Sequence, residues 1–221
     1  MDILYQDKRI IVAVKPAGVL STDEPGGMPT LLRAALGDEN ACIRTVHRLD
    51  AAVGGLMVYA RSVRAAAILS EQIRTGAFHK EYLAVVHGRP EAASAELRDL
   101  LCYDGARRMS RVVTAPGRGV QEAVLDYSLA ASDDELSLLR VRLHTGRTHQ
   151  IREHTAAIGH PLAGDTTYGG DRALSRPALH SARCALDHPF GRGQLAFSEP
   201  LPEDMRVFLR ERGCSPLLFE I

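Results

Sequence analysis

His47-Arg48-Leu49-Asp50 place an acid, a guanidinium and an imidazole within four consecutive positions. They end a short apolar run and lead into Ala51-Ala52-Val53-Gly54-Gly55. A carboxylate beside an arginine on a glycine-rich turn reads as a presented acid, which makes Asp50 a candidate nucleophile or base. Isolated among apolar residues such a group tends to take up a proton, and an arginine within about 4–6 Å keeps it ionised. A second block, Leu143-His144-Thr145-Gly146-Arg147-Thr148-His149-Gln150-Ile151-Arg152, can supply that cation, and Arg152 is the expected partner. Arg48 lies two residues from Asp50 and shares its face in a strand-like segment, so it either pairs with Asp50 or reaches out to a ligand. The plainer alternative is that Asp50 only caps the glycine turn.

Other candidates weigh less. His144, His149 and His154 recur every five residues, whereas a metal pair on a helix wants a spacing of three or four, so no metal site is expected. Cys42, Cys102, Cys184 and Cys214 form no CxxC pair and read as reduced, mostly buried thiols. Gly26-Gly27, Gly54-Gly55 and Gly169-Gly170 lack a phosphate-loop arrangement and read as turns. Tyr82 sits among Leu83, Val85 and Val86, either packed in the core or at the floor of a pocket where it stacks on a base.

These groups must be held by a folded frame. A chain of 221 residues with 45% apolar and 24% charged residues suits one globular domain, here taken as residues 1–221. Twenty-seven basic residues balance 27 acidic ones, which counts against indiscriminate nucleic-acid binding while permitting a local basic groove. Arg107, Arg108, Arg111 and Arg118 cluster in one stretch, Arg140, Arg142, Arg147 and Arg152 in another. The N-terminus shows no secretory signal and no apolar run spans a bilayer, so a cytoplasmic protein without a membrane partner is expected.

Strands are expected at Ile10–Val14, Leu56–Ala60 and Lys80–Val86, and where Ala123, Leu125, Tyr127 and Leu129 alternate with polar residues. Leu139, Val141 and Leu143 alternate with Arg140, Arg142 and His144, which puts a basic row opposite the core. Helices are expected at Thr30–Leu36, after Ser62 with Gly76 as the stop, and through Arg152 to about Ile158, capped by Thr145 or Thr148. A last helix opens at Glu203 and Asp204 and ends before Gly213. The sum is an α+β fold, a largely antiparallel mixed sheet with flanking helices and loops.

The blocks together resemble the RluA-type pseudouridine synthases, in the family's order. Lys15-Pro16-Ala17-Gly18 matches the early segment, and His47-Arg48-Leu49-Asp50 with Gly55-Leu56 the signature around the catalytic aspartate. Lys80-Glu81-Tyr82 with Gly88 matches the tyrosine strand. Thr145 to Arg152, then Gly159 to Asp165 with Tyr168-Gly169, match the third block; Leu179-His180 and His188-Pro189 match the closing segment. Two departures stand out. Ala52-Val53-Gly54-Gly55 stands where many relatives read Asp-Thr-Ser-Gly, and a short form without the N-terminal RNA-binding domain of many relatives is expected.

The resemblance implies a fold with a central active-site cleft and isomerisation of uridine to pseudouridine in rRNA or tRNA, with no cofactor and no metal. It assigns catalysis to Asp50, Tyr82 and Arg152, and RNA contacts to His47, Arg48, Arg142, Arg147 and His149. RNA is the expected partner, and a monomer the expected state. Two rivals remain: an RNA-binding module with lost or incidental catalysis, and a nucleoside or glycoside hydrolase pairing Asp50 with Asp165.

Overall fold

The computed structural model describes residues 1–191, 193–212 and 214. The elements run β1 (Ile3–Gln6), β2 (Ile10–Lys15), α1 (Met28–Leu36), β3 (Arg44–Thr45), β4 (Gly54–Ala60), α2 (Val63–Thr75) and β5 (His79–His87). They continue β6 (Ser94–Asp104), β7 (Met109–Val113), β8 (Val120–Ser132), β9 (Leu136–Leu143), α3 (Gln150–Ala157), β10 (Leu179–Asp187), β11 (Gln194–Ser198) and α4 (Glu203–Glu211). This is the α+β architecture expected, with antiparallel pairing throughout the two hairpin groups described below. No described helix is long and apolar enough to cross a membrane.

Contacts group the chain into two compact units. The first comprises Met1–Lys80 and Ser181–Glu199. Its strands β2 and β4 pair antiparallel from Ile10↔Ala60 to Lys15↔Gly55, with β1 on the outer side of β2. All seven residues of β4 are buried, as a strand covered on both faces requires. Ile10, Val12, Leu56 and Val58 pack with Ala65 and Leu69 of α2 and with Leu186 of β10. Burial of such side chains contributes roughly 1.5–3 kcal/mol each. Helix α2 starts where Ser62 Oγ accepts the Ala65 N–H at 3.1 Å and stops at left-handed Gly76, as its sequence predicts. Helix α1 begins two residues earlier than expected, because Pro29 fits a first turn that lacks N–H partners anyway.

The second unit comprises Glu81–His180 and Pro200–Ile221. Its strands run β5-β9-β8-β6-β7, every pairing antiparallel. The register puts Tyr82, Val141 and Tyr127 in one cross-strand row, all buried. Glu81, Arg142, Asp126 and Glu96 form the adjacent row, which must face the other way. Arg142 thus lies opposite the core as the alternation predicts, but acids stand beside it, and Arg140 and His144 pair with Glu81 and Asp126, so the face is mixed in charge and not a basic row. Helix α4 follows Pro202, and Arg176 pins its first turn through Asp204 at 2.7 and 2.8 Å. Gly213, the expected stop, lies outside the described residues.

Three local expectations need correction. Neither Thr145 nor Thr148 caps α3. The N-cap is His149 in a left-handed conformation (φ 54°), with no side-chain cap bond. Thr145 Oγ1 instead accepts the Val124 N–H at 2.8 Å and donates to Gln150 Oε1, which ties the loop to β8. Gly54 and Gly55 do not make the turn; they open β4. Gly55 (φ 118°) is required because a Cβ there would stand 2.3 Å from the Ser181 carbonyl oxygen on β10. Of the four free cysteines, Cys184 and Cys214 are buried, whereas Cys102 is half-buried and Cys42 exposed.

Candidate active site

The candidate residues fall on both units, and each set has its own support. In the first unit Asp50 sits on a short connection between Leu49 and the Ala51-Ala52 turn. Leu49 is buried, and a single hydroxyl holds both of its backbone polar groups. Ser21 Oγ donates to Leu49 O at 2.8 Å and accepts Leu49 N–H at 3.0 Å. On the other side, Ala51 O accepts from Lys15 Nζ at 3.0 Å and from Gly18 N at 2.8 Å. Lys15 is fully buried, and its ammonium also donates to Val19 O and Pro16 O at 2.6 and 3.0 Å. A buried ammonium is tolerated when its three N–H groups meet acceptors, and here those acceptors are loop carbonyls. Asp50 O itself accepts the Val53 N–H at 3.0 Å.

These bonds bear on the departure at Ala52-Val53-Gly54-Gly55. The connection is held by main-chain carbonyls, Lys15 and Ser21, and Val53 is buried in the framework. A polar side chain in the turn is not needed to fix the path of the chain at Asp50.

His47 and Arg48 point to different tasks. His47 Nε2 accepts the Val58 N–H at 3.0 Å, and its ring packs against Phe78 at 5.3 Å. Burial, with the positive charge of Lys80, pushes its pKa down to about 3, so the ring is a neutral acceptor. Arg48 is exposed.

In the second unit Tyr82 is buried on β5, and Arg152 projects from the first turn of α3. Arg152 is 7% exposed and Asp165 1% exposed. The pair is bidentate: Nε meets Asp165 Oδ2 at 2.6 Å and Nη2 meets Oδ1 at 2.8 Å. Two parallel bonds fix the guanidinium plane as well as its position. The Tyr168 ring lies beneath it, 5.0 Å from the guanidinium carbon. Tyr168 Oη accepts the Ser110 N–H at 2.7 Å and lies 3.0 Å from His149 Nδ1. Burial pushes the Tyr168 hydroxyl up to about 12, so it stays protonated. Asp165, the second acid of the hydrolase alternative, has both its oxygens bonded to Arg152, a role that its place in a Gly-Asp turn does not reveal in the sequence.

The three histidines of the spacing argument find separate partners. His144 Nε2 lies 2.6 Å from Asp126 Oδ2, His149 bonds Tyr168, and His154 faces Asp99 at 3.7 Å. Among the described residues, a cluster that does offer metal-ligand atoms is Glu96, Asp126 and His144, within 4.8 Å of one another on the wet face. Its members already pair with neighbours, Asp126 with His144 and Glu96 with Arg98. Arg147 Nε donates to Glu122 O at 2.8 Å. Arg142 is exposed on the face opposite Tyr82, so the register separates it from the Tyr82 row.

Comparison with known proteins gives a consistent picture. The family model described as RNA pseudouridylate synthase matches residues 9–157. An "Uncharacterized RNA pseudouridine synthase YhcT" of Bacillus subtilis is 34% identical over 219 residues, covering 95% of this chain and 72% of that protein. A "Ribosomal large subunit pseudouridine synthase D" of Zymomonas mobilis is 31% identical over 232 residues, covering 95% and 72%. Among solved structures, "Human RNA Pseudouridylate Synthase Domain Containing 4" aligns with a TM-score of 0.78 at 23% identity, covering 94% of this chain and 91% of that one. That last likeness concerns the fold.

Proposed function

The chain belongs to the RNA pseudouridylate synthase family, and from that premise we propose that it isomerises uridines of ribosomal or transfer RNA with Asp50 as the catalytic group and without a cofactor. The family's enzymes are isomerases. The C1′–N1 bond of the target nucleotide breaks, the uracil turns, and a C1′–C5 bond forms. The hydrogen lost from C5 is balanced by one gained at N1, so nothing is added or removed overall.

Asp50 either attacks C1′ or takes the 2′ proton as positive charge builds at the sugar. Arg152 supplies the positive charge that the Asp50 carboxylate works against. Tyr82 stacks on the extruded uracil, and its side-chain oxygen serves as the acceptor of the C5 proton. Arg48 occupies the gap the base leaves. Arg147 and His149 hold the backbone near the target. His47, whose Nε2 is taken by Val58, contributes through the main chain it anchors. Arg142, on the opposite face, serves RNA wrapped further round the sheet. Flipping a nucleotide costs a few kcal/mol, which these phosphate contacts offset.

The observation that supports this reading most is the double clamp on the main chain at Asp50, Ser21 on Leu49 and Lys15 with Gly18 on Ala51. A surface carboxylate that merely caps a turn needs no buried ammonium beside it. The name of the Zymomonas relative points to large-subunit rRNA as the first place to look. Residues 1–221 are proposed to act as one catalytic domain, as a monomer, in the cytoplasm. Mapping pseudouridines in total RNA from cells with and without the protein tests the proposal. One or more sites should disappear and return only with a copy that retains Asp50. An unchanged map would refute it.

A further inference from the structure

The hairpin of β6 and β7 stands outside the machinery assigned above, yet it is bonded to it. Along β7, Ser110 N–H donates to Tyr168 Oη at 2.7 Å, Val112 N–H to Glu153 Oε1 at 2.7 Å, and Ser110 Oγ to Thr148 O at 2.5 Å. An edge strand normally presents such groups to solvent. Here they are spent on Tyr168, on the loop that carries His149 and on the helix that carries Arg152.

Across from Ser110 lies Tyr103, 47% exposed and the one aromatic among the large exposed apolar side chains of the described residues. Its ring meets His149 edge-on at 6.4 Å, and His149 meets Tyr168 at 5.7 Å. Tyr168 in turn lies under Arg152. An exposed ring thus ends a row of rings that begins at the candidate site.

The hairpin tip adds charge. Arg107 and Arg108 are both exposed. Asp104 is the acid nearest the tip. It accepts from the Ala106 and Arg107 N–H groups and lies 3.8 Å from Arg107 Nε. Arg108 makes no ion pair among the described residues and has a left-handed backbone (φ 53°). Glycine is the residue that adopts this conformation without steric cost. Among the described residues the only other non-glycine with positive φ is His149, on the same row. Arg111 stands opposite Cys102 in the strand register and so faces away from Tyr103.

We propose that Tyr103 and the tip arginines form a platform for an unpaired nucleotide beside the target uridine. The base stacks on the Tyr103 ring, and the phosphates on either side of it meet Arg107 and Arg108. The inference rests on RNA being the substrate. Charge complementarity favours a nucleic-acid strand over a protein partner, because the tip offers cations and one ring but no apolar row.

Binding of a fluorescent twelve-residue oligouridine, followed by anisotropy over a salt series, tests this without requiring turnover. Tyr103→Ala should weaken binding about ten-fold and leave the salt slope unchanged, since stacking releases no counterions. Tyr103→Phe should bind within about two-fold of wild type. Arg108→Gly relieves the backbone and removes the cation, so it should fold at least as stably and lower the slope by about 0.7. The platform is refuted if Tyr103→Ala binds like wild type, if Tyr103→Phe is as weak as Tyr103→Ala, or if Arg108→Gly leaves the slope unaltered. A wild-type chain that binds through Tyr103 yet modifies no RNA would overturn the catalytic proposal and leave this one standing.

Discussion

Ser21 bonds both the N–H and the C=O of Leu49, and its loss has a calculable effect. Ser21→Ala leaves two buried main-chain groups unpaired, at about 1–3 kcal/mol each. For a chain of this size that corresponds to a fall in Tm of roughly 4 °C or more, read by thermal unfolding. Arg152 and Asp165 form the second sensitive pair. Arg152→Met should lower kcat far more than it raises KM, because its charge acts at the reacting carboxylate. Equal losses from Arg152→Met and Arg142→Met would mark both as plain phosphate contacts. Asp165→Asn removes the negative charge from the bidentate partner of a buried guanidinium, so it should lower Tm as well as kcat while RNA affinity stays within a few-fold. Asp50, Arg48 and Arg152 were legible as candidates because their blocks are compact in sequence. Ser21 and the full use of Lys15 were not, because their bonds reach Leu49 and Ala51 across 28 and 36 positions.

At the scale of elements, Gly55 and Gly37 separate two causes of glycine dependence. Gly37 ends α1 with φ 64° and open space around its missing Cβ. Gly37→Ala should cost only the left-handed penalty, about 1–2 kcal/mol. Gly55→Ala adds a clash with the Ser181 backbone, which cannot swing aside as a side chain would. Its Tm should fall at least twice as far, and a smaller fall than that of Gly37→Ala would show that β4 and β10 can part locally. Alternation made β8 and β9 readable, and the Ser62 and Gly76 signals bounded α2. The start of α3 was hidden because two threonines near it resemble caps, whereas the Thr145 hydroxyl is taken by a tertiary bond to Val124 and left-handed His149 is the N-cap. The β6–β7 hairpin was hidden because Arg107, Arg108, Arg111 and Arg118 stand out in the sequence only as a cluster of charge, with nothing to mark Arg107 and Arg108 as the tip between two strands.

For the whole molecule, buried imidazoles set the response to acid. Burial lowers the pKa of His47 to about 3 and of His180 to about 4, and also lowers that of His154. Unfolded histidines titrate near 6.5, so between that value and about 4 the unfolded chain binds more protons. Their contribution is complete above pH 6.5 and is lost as pH falls through that window. The raised pKa values of Glu153 and Glu199 work the other way, against three lowered imidazoles. The urea midpoint should therefore be lower at pH 5 than at pH 7, and His180→Leu should flatten part of that slope. An equal midpoint at both values would contradict the burial of these rings. The α+β class followed from the strand spacing, and the family from five blocks in order. The grouping into two compact units was not visible, since each is built from segments distant in sequence.

The central claim is that the Asp50 carboxylate performs the isomerisation. Asp50→Asn keeps the size of the side chain and removes its charge. On an RNA that wild type modifies, release of the C5 hydrogen as tritium under single-turnover conditions should fall by roughly a thousand-fold or more, with RNA affinity within a few-fold of wild type. Tritium release at anything near the wild-type rate would mean that another group does the chemistry.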